Sequence, residues 1–181
     1  KRIKDIVSTE ILGRVGLTGI SFKKALKEDI VDIARQSMFM GQVGQPNIGF
    51  ELHNSADHFN LLCDGRLIAQ ALTNILKNAG ESINSRPNPK NPKTTLPRGK
   101  IDIYITQDAD IIELSVEDNG KGLPQEISEH LTEPYVTTRK KGTGLGLAIV
   151  RKIIEDHGAT LLLLQRPDVG ARVVVKFSQK V

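Results

Sequence analysis

The chain has 181 residues, enough to bury a core for one domain of ordinary size plus a short appendage. It carries 25 basic against 21 acidic residues, a net charge of +4 that suits an anionic ligand without demanding a nucleic acid. The lack of Trp, with only two Tyr and five Phe, argues against a base-stacking surface, and a single Cys excludes an internal disulfide.

Residues 1 to 15 carry Ile3, Ile6, Val7, Ile11 and Leu12 in helical rhythm, cut by Gly13 and Gly16. We expect residues 1–22 to be the end of a preceding helical element or linker, and 23–181 to be the domain itself. The first residue is Lys, which suggests a piece of something longer. The spacing of Ile30, Ile33, Ala34, Ser37 and Met38 predicts an amphipathic helix from Lys27 to about Gln42, closed by Gly41 and Gly44. Two short strands should follow, 48–52 and 59–63, joined by a polar turn around Asn54 to Asp57. Cys63 ends the second and reads as a buried structural thiol in a reducing compartment. Asp64 offers an N-cap for a helix from Arg66 to about Ser85, with Ile68, Leu72, Ile75, Leu76, Ala79 and Ile83 on its apolar face.

Pro87, Pro89, Pro92 and Pro97 make the basic stretch 86–98 an exposed loop. A hairpin comes next: Ile101, Ile103 and Ile105 face inward, 108–110 turns, and Ile112, Leu114 and Val116 return. Residues 125–141 have few apolar anchors. They lead to a helix opened by Lys140-Lys141-Gly142-Thr143-Gly144-Leu145-Gly146-Leu147 and striped by Leu145, Ile149 and Ile153, with Val150 and Ile154. Strands at 160–165 and 171–177 finish the domain. The order suggests a two-layer α/β sandwich, with helices on one face of a mixed sheet. No apolar run approaches the length of about 20 residues that spans a bilayer, and no signal-peptide pattern is visible.

Three local patterns invite chemistry. Unpaired N–H groups at a helix N-terminus attract anions, and the glycines of 142–146 let a phosphate approach the backbone; plain turns and caps use glycine too. Asn74 and Asn78 stand one turn apart in a helix where each Asn costs about half a kcal/mol relative to Ala. They form either a solvent-facing stripe with Lys77 and Glu81, or amide ligands to a Mg²⁺ held between phosphates. Asp118-Asn119-Gly120-Lys121-Gly122 is either a tight turn after a strand, or a carboxylate accepting from the exocyclic amine of adenine beside two permissive glycines. Guanine would present an acceptor to that carboxylate, so such a site prefers ATP to GTP.

Taken in order, Asn74-Ile-Leu-Lys-Asn78 resembles the N box, Asp118-Asn-Gly-Lys-Gly122 the G1 box, Glu133-Pro-Tyr135-Val-Thr-Thr138 the F box and Gly142-Thr-Gly-Leu-Gly-Leu147 the G2 box of sensor histidine kinases. Those kinases share the Bergerat ATP-binding fold with gyrase, the ninety-kilodalton heat-shock chaperone and MutL. The resemblance covers about residues 27 to 181 and is greatest to NtrY-type nitrogen-regulation kinases. It implies a catalytic role for Asn74, Asn78 and Lys141, with Asn78 as the Mg²⁺ ligand. ATP would be bound by Asn78, Asp118, Gly120, Gly122, Tyr135, Thr138, Gly142, Thr143, Gly144, Leu145, Gly146 and Leu147, beneath a mobile lid at about 126–141. Tyr135 takes the place usually held by Phe.

The departures from the family pattern set the chemistry expected. Where the ATPase branches carry a general-base Glu, four residues before the metal-binding Asn, this chain has Asn74, which has no proton affinity to offer. Hydrolysis should be slow and the γ-phosphoryl kept for another acceptor. Gly170-Ala171 replaces a frequent Gly-Thr. None of His53, His58, His130 and His157 stands in a phosphoacceptor motif, so the acceptor His should lie on a dimerisation domain upstream. The resemblance therefore implies the cytosolic catalytic part of a membrane-anchored homodimeric sensor, partnered by its own phosphoacceptor domain and a response regulator. A module that binds partners without catalysis, and a hydrolysing Bergerat ATPase, are the rival readings.

Overall fold

The computed structural model describes residues 26–87, 96–123 and 145–179. The boundary expected at 22/23, the proline-rich 88–95 and the 124–144 segment lie outside them.

Asp29 decides how the chain enters the domain. Its backbone is extended and its Oδ1 accepts from the N–H of Val31 at 3.0 Å, which makes it the N-cap of helix α1 (Ile30–Gly44). The same oxygen accepts from the N–H of Phe59 at 3.1 Å. The expected helix start at Lys27 is therefore corrected to Ile30, the first residue whose side chain reaches the core. Leu26–Asp29 form a strand instead, β1, paired antiparallel with β3 (Asn60–Cys63). Strand β2 (Ile48–Asn54) does not pair with β3 across the polar turn; the two belong to different sheets.

Helix α2 (Gly65–Asn84) is capped as the sequence predicts, with the Asp64 carboxylate accepting from the N–H groups of Arg66 and Leu67. Strands β4 (Gly99–Asp108) and β5 (Ile111–Asp118) form the hairpin, turning through Ala109 at φ 49°. Helix α3 (Gly146–Asp156), β6 (Thr160–Gln165) and β7 (Ala171–Ser178) complete the described chain. The main sheet runs β2-β4-β5-β7-β6, with β2 and β4 parallel and the other pairs antiparallel. All three helices pack on one face of it, α2 between α1 and α3. This is the two-layer α/β sandwich expected from the sequence, with a small second sheet added by β1 and β3.

The layers meet through the residues that periodicity selects. Ile101, Ile103 and Ile105 of β4 are fully buried, and Ile103 and Ile105 face Val116 and Leu114 of β5. Ile68, Leu72, Ile75, Leu76, Ala79 and Ile83 of α2 press onto them. Each fully buried large aliphatic side chain contributes about 1.5–3 kcal/mol over exposure, so this central row carries much of the stability. Cys63 is buried in the same core, where burial pushes its thiol up to about 12, as befits a structural cysteine. Among the described residues no helix is long and apolar enough to cross a membrane.

Candidate functional site

The inward row of β5 runs Ile112, Leu114, Val116 and then Asp118, so a carboxylate occupies the next core position of a period-two pattern. Asp118 is only 4% exposed. Burial pushes its carboxyl above its ordinary range. The N–H groups of Gly120 and Ala171, the adjacent Ser82 hydroxyl and the Arg166 guanidinium offset part of that rise. Gly120 N–H donates to Asp118 Oδ1 at 2.7 Å. Position 171, where a Thr hydroxyl was the alternative, turns its backbone N–H toward Asp118 instead. Asn119 points the other way: its amide bonds Lys100 N–H at 2.9 Å and the Arg98 carbonyl at 2.8 Å, extending the β4 edge.

Glycine is required around Asp118. A Cβ on Gly120 would stand 2.2 Å from Ser82 Oγ and 2.7 Å from Asp118 Oδ1. Gly122, at φ 80°, would place one 2.4 Å from Gln165 Nε2. Gln165 closes over this loop, accepting from Leu123 N–H at 2.7 Å and donating to the Gly170 carbonyl at 3.0 Å. Arg166 Nη1 donates to the Asp118 carbonyl at 3.1 Å. The β6–β7 turn thus grips the Asp118–Leu123 loop from outside.

Helix α2 supplies the opposite wall. Asn74, Asn78 and Ser82 recur every fourth residue and lie on one stripe beside the buried apolar face; Asn74 and Asn78 are half-buried, Ser82 buried. Asn78 meets the start of α3, where a Cβ on Gly146 would lie 3.7 Å from Asn78 Nδ2 and 3.9 Å from Oδ1. Leu145 holds the N-cap position of α3 and gives no side-chain cap, and the Asn78 amide lies beside the positive end of this helix. The α2 stripe therefore runs from the N-terminus of α3 at Asn78 to the buried carboxylate of Asp118 at Ser82. One end suits an anion and the other an exocyclic amine.

The structure thus brings together Asn78 with Gly146, and Asp118 with Gly120, with Gly122 in the same loop, Asn74 one turn back along the α2 stripe and Leu145 and Leu147 flanking Gly146. Lys141, Tyr135, Thr138, Gly142, Thr143 and Gly144, and the lid, lie outside the described residues. Sequence reasoning missed Ser82, although its place four residues after Asn78 was visible. It also missed Gln165 and Arg166, which reach Leu123 and Asp118 across 42 and 48 residues of chain with no local signal.

The described histidines serve other ends. His157 caps α3, His58 Nδ1 contacts Asp29 Oδ2 at 2.6 Å, and His53 stacks on Tyr104 at 4.7 Å between centroids. His53, Glu51 and Asp102 bring three ligand atoms within 4.8 Å of one another. Lys100 Nζ already stands 3.1 Å from both carboxylates, so a protein cation meets their charge.

Residues 63–181 match the family described as histidine kinase-, DNA gyrase B-, and HSP90-like ATPase. The chain is 36% identical over 178 residues to a putative sensor histidine kinase NtrY-like of Rickettsia prowazekii, covering 98% of the chain and 27% of that protein. It is 43% identical over 141 residues to the nitrogen regulation protein NtrY of Azorhizobium caulinodans, covering 78% of the chain and 18% of that protein. The catalytic domain of the histidine kinase ThkA superposes with a TM-score of 0.71 at 26% identity, over 86% of this chain and 96% of that one. The same kinase in complex with the response regulator protein TrrA gives 0.71 at 24% identity, over 99% of this chain and 48% of that one.

Proposed function

The chain belongs to the histidine kinase-, DNA gyrase B-, and HSP90-like ATPase family, and from that premise we propose that it is the Mg-ATP-binding catalytic domain of a two-component sensor histidine kinase of the NtrY type. It would hold the γ-phosphoryl for transfer to a His on a dimerisation domain, from which a response regulator is phosphorylated in turn. The observation that carries this reading is the α2 stripe, which sets Asn78 against the N-terminus of α3 at one end and Ser82 beside the buried carboxylate of Asp118 at the other.

Each end has a task that its chemistry suits. Asp118 accepts from the exocyclic amine of adenine, and Gly120 and Gly122 let the base lie against backbone. The first turn of α3, from Leu145 through Gly146 to Leu147, draws the phosphates with its positive dipole end. Asn78 offers one neutral amide oxygen beside that turn, which fits Mg²⁺, a cation that keeps several waters and takes most of its other ligands from phosphate oxygens. When bound, the metal supplies charge neutralisation on the phosphates. Asn74, lacking a basic atom, positions and does not activate water. Lys141 with Gly142, Thr143 and Gly144 would complete the phosphate side, and Tyr135 and Thr138 the lid. The chemistry is then positioning and charge stabilisation, the terms that dominate phosphoryl transfer.

Calorimetric titration of the 181-residue chain with Mg-ATP tests the proposal. Saturable binding of one nucleotide, with no steady phosphate release and no self-phosphorylation, is expected. The absence of binding would reject it in favour of a partner-docking module. Continuous phosphate release would place the chain with the hydrolysing branches.

A further inference from the structure

Ser82 is buried at 8% exposure, and its Oγ stands beside the Asp118 carboxylate, near enough to favour its charged form, without closing a hydrogen bond of good geometry to any described residue. A serine inside a helix ordinarily returns its hydroxyl to the carbonyl one turn back. Thr73 in the same helix does so, bonding the Ala69 carbonyl at 2.8 Å. Ser82 instead turns its hydroxyl toward the Asp118 carboxylate: its Oγ and Asp118 Oδ1 lie 2.2 and 2.7 Å from the one point that a Gly120 Cβ would fill. A buried hydroxyl left without a partner is costly, and a ligand that supplies one recovers the loss.

Building on the nucleotide reading above, we propose that Ser82 is a second base-reading residue, whose hydroxyl donates to ring nitrogen N1 of adenine beside the amine accepted by Asp118. The two side chains present an acceptor and a donor next to each other at the buried end of the α2 stripe. Adenine presents the complement, an amino donor next to an acceptor nitrogen, whereas guanine presents a carbonyl that opposes the Asp118 carboxylate, next to a ring N–H that the Ser82 hydroxyl meets only by turning to accept. The edge is fixed by the layout of the site. The ribose and phosphates must lead back along α2 toward Asn78 and Gly146, so the six-membered ring, farthest from the sugar, enters the buried end first. N1 then faces Ser82, while N7 lies on the ring that carries the ribose. Binding of adenine thereby draws on two groups from different elements, the end of β5 and the last turns of α2, while rejection of guanine rests on Asp118.

The test compares wild type with Ser82→Ala by calorimetry against ATP, 1-deaza-ATP and 7-deaza-ATP, each with Mg²⁺. Losing one neutral hydrogen bond should weaken ATP binding by roughly tenfold. The gap should persist with 7-deaza-ATP and vanish with 1-deaza-ATP, which wild type itself binds more weakly. Ser82→Thr, which keeps the hydroxyl, should retain most of the affinity and guards against a packing effect of the alanine. An equal loss against all three nucleotides, or none against ATP, would overturn the role of Ser82 while leaving the nucleotide site standing. Failure of wild type to bind ATP at all would instead remove the nucleotide reading on which the inference rests.

Discussion

The backbone N–H of Asp64 donates to Nε2 of His157 at 3.1 Å, while Nδ1 of the same ring bonds the Ile153 carbonyl at 2.7 Å. A carbonyl can only accept, so Nδ1 carries the proton and Nε2 is the acceptor, a neutral ring in one tautomer. The N-cap residue of α2 is thereby joined to the C-cap residue of α3, which fixes the two helices that carry the site. His157→Ala leaves the Asp64 N–H half-buried without this acceptor and should cost about 1–2 kcal/mol in urea unfolding. An unchanged unfolding midpoint would show that the ring contributes nothing to stability.

Gly170 sits at φ 90°, and a Cβ there would stand 1.8 Å from the Asp118 carbonyl oxygen and 3.0 Å from Asn119 Cα. Both obstacles are backbone, so no side chain can swing aside. Gly170→Ala should destabilise the domain by about 2 kcal/mol or more. It should also push the Asp118 loop out of place, so nucleotide affinity falls even at temperatures where the variant is folded. Gly158 is the matched control, with φ 64° and open space around it: Gly158→Ala meets only the backbone penalty, of about 1 kcal/mol. Equal losses for the two variants would refute the steric account.

Local pattern carried most of the fold. The core face of α2, the inward isoleucines of β4 and the Asp64 cap follow from period and capping chemistry, and each stands where the sequence put it. The pairing of strands was not legible in the same way. β2 and β3 look like neighbours joined by a turn, yet β2 takes β4 in parallel across the whole of α2, because partner choice depends on layer geometry rather than local spacing. The start of α1 was missed for a related reason: Asp29 also caps against Phe59, a contact 30 residues away that no window contains. At the site, Asp118 was readable as a charge ending an apolar alternation. Gln165 and Arg166 were not, since their partners come from a loop that only the fold brings near.

The Asp29–His58 pair should make stability depend on pH in a defined sense. Burial alone would push the Asp29 carboxyl up; the bonds from His58 and the N–H groups of Phe59 and Val31 together outweigh it and hold it below its ordinary 3.8. The bond and charge of Asp29 raise His58 above its ordinary 6.5, with Asp32 and Asp57 adding in the same sense. The Asp29 contribution is present above 3.8 and is lost as pH falls through its lowered value. The His58 contribution is full below 6.5 and is lost as pH rises through its raised value. The deficit of His58→Gln relative to wild type should therefore be greatest between about 3.8 and 6.5 and shrink at alkaline pH. Thermal melts of both proteins at pH 5.5 and 9 would check this; a deficit that is the same at both would mean the ion pair contributes nothing.

Asp118 should separate stability from binding. Its carboxyl is raised by burial, so the folded state holds the proton more tightly than the unfolded chain does. Stability then falls as pH rises from 3.8 through the raised value, and at neutral pH the buried charge is a net cost. Asp118→Asn keeps an oxygen for the Gly120 N–H and removes that charge, so the empty domain should melt at the same temperature or higher. Nucleotide binding should move the other way. The amide is a weaker acceptor, and its NH₂ competes for the same position against the adenine amine, a loss of roughly 10–100-fold in affinity for Mg-ATP. Lys90→Ala, in the proline-rich stretch of the sequence, should leave affinity nearly unchanged. Titrations of the three proteins beside their melting curves would decide the matter. A fall in both stability and affinity for Asp118→Asn would mark Asp118 as a structural residue, and equal losses for Asp118→Asn and Lys90→Ala would put the pocket elsewhere.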